Sequence, residues 1–161
     1  MRPILTAAVL MAALPAAAED LRFATTSDPN TLDPNAGNSA PVFSLLNNVY
    51  EGLVRRGRDM TLEPALATAW EPIGDGEGWR FTLRDGVTFH GGEAFTADDV
   101  IFSYERASSP ESDTASWFAG VDRVEMVDAT TVDFYTAQPN PIFPDSIANW
   151  MMMDAGWAEA N

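Results

Sequence analysis

The sequence has no cysteine, no lysine and only one histidine. Beyond its first residues it also has no apolar run long enough to cross a bilayer. Each absence excludes something. Without cysteine there is no disulfide framework, so a chain of this length must be held by core packing. With a single histidine, His90, none of the His/Cys spacings of a zinc site can be assembled. A serine nucleophile would have only that one imidazole as its base, and no Gly-x-Ser-x-Gly elbow occurs. Positive charge is also scarce: all nine basic residues are arginine, and the formal net charge is -15. Phosphate backbones and anionic membrane surfaces repel such a surface, which argues against nucleic acid and membrane partners.

What is present begins with "MRPILTAAVLMAALPAAAED". Arg2, an apolar run from 4 to 14 and the small residues Ala16, Ala17 and Ala18 follow the order of a secretory leader. Residues 1–18 are therefore expected to be a signal peptide cleaved before Glu19. No cysteine follows to carry a lipid anchor, so a free periplasmic protein is expected, without stable membrane insertion.

The mature chain reads as α+β. Residues 21–26 alternate as a strand, and "SDPNTLDPNAGNSAP" is loop. Asn38 or Ser39 caps a helix expected over 41–51, with Val42, Leu45, Leu46, Val49 and Tyr50 at helical spacing. A hairpin is expected around Gly57, then a strand "ATAWEPI" closed by the loop "GDGEG". That loop lacks the Gly-Lys-Ser/Thr ending of a phosphate cradle. In "WRFTLRDGVTF" a three-residue loop would pair Leu83 with Val87 and Phe81 with Phe89, with Gly86 at positive φ if that hairpin forms. Thr96 and Asp99 have capping-box spacing, and Phe95 and Val100 occupy the positions of a hydrophobic staple. The helix they start runs to about Ser108, with Val100, Ile101, Tyr104 and Ala107 on one face, and Pro110 bars its continuation. Two strands follow around a turn at 128–130, with Val121, Val124, Met126, Val132 and Phe134 on the apolar side. "QPNPIFPDSIANW" reads as a proline-rich lead-in to a short helix. "MMMDAGWAEAN" shows no turn, cap or closing strand.

Little of this points to chemistry. Glu93, Asp98 and Asp99 lie near His90, but the last two belong to the helix start, so a structural or solvated loop histidine is the simpler reading. The many carboxylates read as a solvated face. Trp117 and Phe118 follow the polar run "SSPESDTAS" and are the aromatics best placed to stack on a ligand, unless the core takes them. No catalytic residue, metal or cofactor is indicated.

"TLDPN", "NNVYEGLVRR", "LEPALATAWE", "GWRFTLRDGVTFHGGEAFTADDVIFSYER" and "VDATTVDFYTAQPNPIFP" occur in this order over nearly all of the mature chain. Together they resemble the extracytoplasmic solute-binding proteins of ABC transporters, family 5, the dipeptide, oligopeptide and nickel-chelate type. The resemblance implies part of a periplasmic-binding-protein type 2-like lobe. It divides the chain into a first strand and loop over 19–42, a subdomain of lobe one over 43–150, and a start of the return to lobe one over 151–161. Family members are far longer, so an incomplete chain without the second lobe is expected. Also implied are a peptide-like small solute, a permease partner, a monomer, and Thr26, Ser27, Val42 and Trp117 facing the solute cleft. Peptide, nickel chelate, opine and sugar are not separated. The competing readings are a secreted structural or interaction remnant and a secreted enzyme using His90, the latter requiring a closed pocket around that residue.

Overall fold

A computed structural model describes residue 24, residues 27–29 and residues 31–161. The expected leader lies outside the described residues, as does the expected strand at 21–26 apart from Ala24.

Helix α1 spans Ala40–Leu46, with Ser39 at its N-cap position and Pro41 in the first turn. It is shorter than its apolar spacing suggests. The Asn47 side chain donates to the Phe43 carbonyl (2.8 Å) and that of Asn48 to the Ser44 carbonyl (2.9 Å). Side-chain amides thus satisfy the terminal carbonyls and compete with continued helix. Val42 and Leu46, one turn apart, are buried, whereas Leu45 and Val49 are exposed.

The hairpin around Gly57 is formed by β1 (Val54–Arg56) and β2 (Leu62–Pro64), with Arg55 opposite Glu63. Met60, not a glycine, takes the positive φ in its loop. A four-stranded antiparallel sheet carries the rest: β3 (Ala67–Ile73), β4 (Gly78–Leu83), β5 (Val121–Asp128) and β6 (Thr131–Thr136), in the order β3-β4-β6-β5. "GDGEG" forms the β3–β4 turn, with Gly74 and Gly76 at positive φ.

The hairpin expected between 81–83 and 87–89 does not form. Both edges of β4 are taken, Phe81 lying opposite Trp70 of β3 on one side and Val132 of β6 on the other. Gly86 still has φ +71, in a turn that reverses the chain without pairing it to β4. Residues 87–89 pair instead with 93–95: Phe89 N–H donates to the Glu93 carbonyl (2.8 Å) and Phe95 N–H to the Val87 carbonyl (3.0 Å). The two glycines after His90 make that tight turn, Gly92 at positive φ.

Helix α2 (Ala97–Ala107) follows with its capping box in place, the Thr96 N–H donating to Asp99 Oδ2 at 2.9 Å. Phe95 and Val100 are both buried in one cluster. A 3-10 turn, Ala115–Phe118, leads into β5. After β6 come α3 (Phe143–Ser146) and α4 (Ala155–Ala160). The end of the chain does have a cap: Asp154 Oδ1 accepts the Trp157 N–H at 2.9 Å. It is also tied back, because Met152 N–H donates to the Glu51 carbonyl and Met153 N–H to Ser103 Oγ.

The sheet has two unlike faces. Phe81, Leu83, Val132 and Phe134 lie on the covered face, packed with Val100 and Ala107 of α2, Phe143 and Trp150. Edge-on aromatic contacts join Phe134 to Phe81 (5.6 Å between centroids), Tyr104 (6.0 Å) and Trp150 (6.0 Å). Met126, expected on this side, is exposed beside the irregularity that ends the β5–β6 register. The opposite face carries a two-pronged ion pair between directly opposed residues of β4 and β6: Arg80 Nε to Asp133 Oδ1 and Arg80 Nη2 to Asp133 Oδ2, both 2.7 Å. Asp133 is 2% exposed, and the Arg80 guanidinium is held well above its usual pKa by that carboxylate.

Candidate functional site

The motif "TLDPN" folds into a knot of short-range hydrogen bonds. Asp33 N–H donates to Thr31 Oγ1 (3.0 Å), and Asp33 Oδ1 accepts the Asn35 N–H (2.9 Å). Asp33 Oδ2 takes the guanidinium of Arg106, in the last turn of α2, whose pKa is raised by that bond. Ser112 Oγ donates to the Asn35 carbonyl (2.6 Å), and the Asn38 side chain donates to the Asp113 carbonyl (3.3 Å). This aspartate therefore pins the loop before α1 to the end of α2, and the amides secure it to the loop before the 3-10 turn. Tyr50 stands close by, its phenol pushed up by burial and, less, by the Asp33 charge.

That anchoring places the start of α1 beside the 3-10 turn. Val42 is 1% exposed and packs with Leu46 and Met151. At Gly37 an added Cβ would lie 2.9 Å from Thr31 and 3.2 Å from Val42, so the loop needs glycine to approach this closely. Phe43, next along the helix, stacks against Trp117 with 5.7 Å between ring centroids and 35° between planes. Trp117 is half-buried, whereas Phe118 lies in the core against Trp150. Ser27 is exposed, and Thr26 lies outside the described residues. Of the four expected solute-facing residues, the structure thus brings Val42 and Trp117 into one neighbourhood, joined by Phe43. Sequence reasoning missed Phe43 and the anchor Asp33. Their partners are far away in the chain, and no local periodicity connects them.

Two concavities lie elsewhere. A groove of ≈ 620 Å³ runs between the 87–95 hairpin, residues 49–51 and the start of α4. A smaller, more polar one of ≈ 370 Å³ is walled by Asn47, Asn48, Arg55 and Asn149. Neither is lined by Ser27, Val42 or Trp117. His90 borders the larger groove but is exposed, and among the described residues it makes no hydrogen bond. An enzyme using His90 would need that imidazole enclosed, and here it is exposed. Among the described residues no three His, Asp or Glu side chains cluster with the spacing to hold a metal, and no helix is long and apolar enough to cross a membrane.

Residues 61–160 match the family model described as bacterial extracellular solute-binding proteins, family 5 Middle. The chain is 32% identical over 142 residues to the glutathione-binding protein GsiB of Salmonella typhi, covering 86% of this chain and 28% of that protein. NikZ from Campylobacter jejuni, solved with Ni(L-His), superposes with a TM-score of 0.74 at 30% identity, over 83% of this chain and 27% of that one. The murein tripeptide binding protein MppA of Escherichia coli superposes with a TM-score of 0.72 at 27% identity, over 83% and 30%. The chain therefore spans less than a third of the length of these relatives, and its mixed helix-and-sheet fold corresponds to part of their binding-protein lobe.

Proposed function

Since the chain belongs to the bacterial extracellular solute-binding proteins of family 5, we propose that it serves in capturing a small peptide-like solute in the periplasm for the permease of an ABC importer. Three relatives are named or solved with glutathione, a murein tripeptide and a nickel–histidine complex. Their common chemistry is that of amino acids and short peptides, and this supports the solute class.

In this reading the chain provides one wall of a cleft. Residues 19–42 are the first strand and loop of lobe one, residues 43–150 a subdomain beside it, and residues 151–161 the return toward it. Thr26, Ser27 and Trp117 border the solute, and Val42 shapes that border from beneath. The observation that carries the reading is the Phe43–Trp117 stack beside Val42, a half-exposed aromatic step held in place by the Asp33–Arg106 anchor. Aromatic faces of this kind accept apolar and cationic side chains of a bound peptide. One wall lacks the contacts that closure of a second lobe would add, so binding by this chain alone is weak.

The test is a titration of the 161-residue chain with glutathione, a dipeptide and nickel–histidine, followed by the NMR signals of its tryptophan indoles. One solute class should give a weak, saturable shift of the Trp117 signal, assigned through Trp117→Phe and lost in that variant. If none of the three classes moves it at any attainable concentration, this face is not a solute wall.

A further inference from the structure

We infer that the Asp85–Gly86 turn is a site of spontaneous covalent modification: its backbone rearranges to isoaspartate, and does so ahead of the chain's other Asp–Gly step, Asp75–Gly76. The reacting residues are the same at both steps, so it is the fold that separates them. In each, the glycine nitrogen attacks the aspartate Cγ, and glycine has no side chain to obstruct the approach. The proton of that nitrogen leaves with the carboxyl hydroxyl as water, and a succinimide ring closes. Water then reopens the ring. Attack at Cγ restores aspartate, whereas attack at the main-chain carbonyl carbon leaves a chain that runs through Cβ and Cγ. The only co-reactant is water, and nothing is oxidised or reduced.

Ring closure requires that the glycine N–H be given up and that its peptide be free to turn. At Gly76 both are opposed. Its N–H donates to the Ile73 carbonyl at 3.3 Å, and the same carbonyl takes the Glu77 N–H at 3.0 Å. Pro139 packs against it, so an added Cβ would lie 3.1 Å from the Pro139 Cβ. Ile73 and Gly78 are already paired, which clamps the turn at both ends. Gly86 is held by none of these devices. Among the described residues its N–H makes no hydrogen bond, and an added Cβ would meet nothing within 4 Å. The fixed points lie outside the step: the Arg84 N–H donates to the Leu66 carbonyl (2.8 Å), and the Val87 carbonyl accepts the Phe95 N–H (3.0 Å). Asp85 and Gly86 are thus the slack between the end of β4 and the 87–95 hairpin. The reaction is completed within those two residues and needs neither a cavity nor a partner.

The test ages the 161-residue chain at physiological pH and temperature, in buffer and in parallel in concentrated urea. Samples taken over time are cut with trypsin, which places the two steps on different peptides, and isoaspartate in each is measured by mass spectrometry. In urea, where neither glycine is held, the two steps should react alike. In the native chain isoaspartate should build up at position 85 about fivefold faster than at position 75, the worth of one backbone hydrogen bond expressed as a rate. Asp85→Glu, which would have to close a larger ring, should leave isoaspartate only at position 75 and at an unchanged rate. Equal native rates at the two steps, or a faster one at position 75, would overturn the proposal. So would a difference of the same size in urea, which would trace it to flanking residues and not to the fold.

Discussion

The carboxylate of Asp99 joins two helices that start 58 residues apart: Oδ2 accepts the N–H of Thr96 at 2.9 Å, and Oδ1 accepts the N–H of Ala155 at 3.0 Å. One buried side chain thus caps α2 and holds the first residue of α4 against it.

Asp99→Ala should remove both bonds and leave two N–H groups without a partner. Loss of a cap costs about 1 kcal/mol, and a second bond to a charged group adds about as much, so a fall of ~2 kcal/mol is expected. Urea unfolding of the variant measures it. A change below about 0.5 kcal/mol, the scale of ordinary surface substitutions, would mean that the carboxylate only decorates the helix start.

Phe134 and Met126 lie on the same apolar side of the sheet, yet they should behave very differently. Phe134→Ala removes a ring that meets Phe81, Tyr104, Phe143 and Trp150, and should cost about 3–5 kcal/mol. Met126, 49% exposed, should change stability by no more than about 0.5 kcal/mol when truncated to alanine. Comparable losses at the two sites would contradict the burial pattern of β5 and β6.

Acid should erase the contribution of Asp128. This carboxylate lies below its ordinary pKa of 3.8, chiefly because it accepts the Thr130 N–H in the β5–β6 turn (2.8 Å). A depressed folded pKa means a stabilisation fully present above the unfolded value and lost as the pH falls through the folded one. The stability gap between the native chain and Asp128→Ala should therefore be constant from neutral pH down to about pH 5 and close below about pH 4. Thermal melts of both proteins across that range decide it. A gap that widens on acidification would assign the wrong sign.

What the sequence made legible was local. The capping box lies within four residues, so its residue types and spacing identify it before any tertiary contact exists. The turn at 128–130 and the hairpin around Gly57 are equally self-contained. The expected helix over 41–51 overshot because apolar spacing continues past Leu46 while the side chains of Asn47 and Asn48 turn back on the helix end. The expected pairing of 81–83 with 87–89 failed because alternation cannot say which neighbour a strand chooses, and β4 chose β3 and β6. At the candidate site the aromatic pair joins positions 43 and 117, too far apart for any periodicity to connect. Of the solute-facing assignments, Thr26 lies outside the described residues, and the others rest on the proposal above.

The opposed pair Arg80 and Asp133 bears on how the chain finds its alignment. The two residues are 53 positions apart, whereas the local hairpin that alternation favours would close a loop of only three residues. In that local register Phe81 faces Phe89, so Arg80 would face His90, which offers no carboxylate, and Asp133 would have no cation to bury against. A slip of one residue between β4 and β6 would turn Asp133 into the aromatic layer instead. The ion pair therefore acts as a checksum on strand alignment. It tells the distant partner from the nearby decoy, and the correct register from its neighbours, and a chain that has not satisfied it has not finished folding.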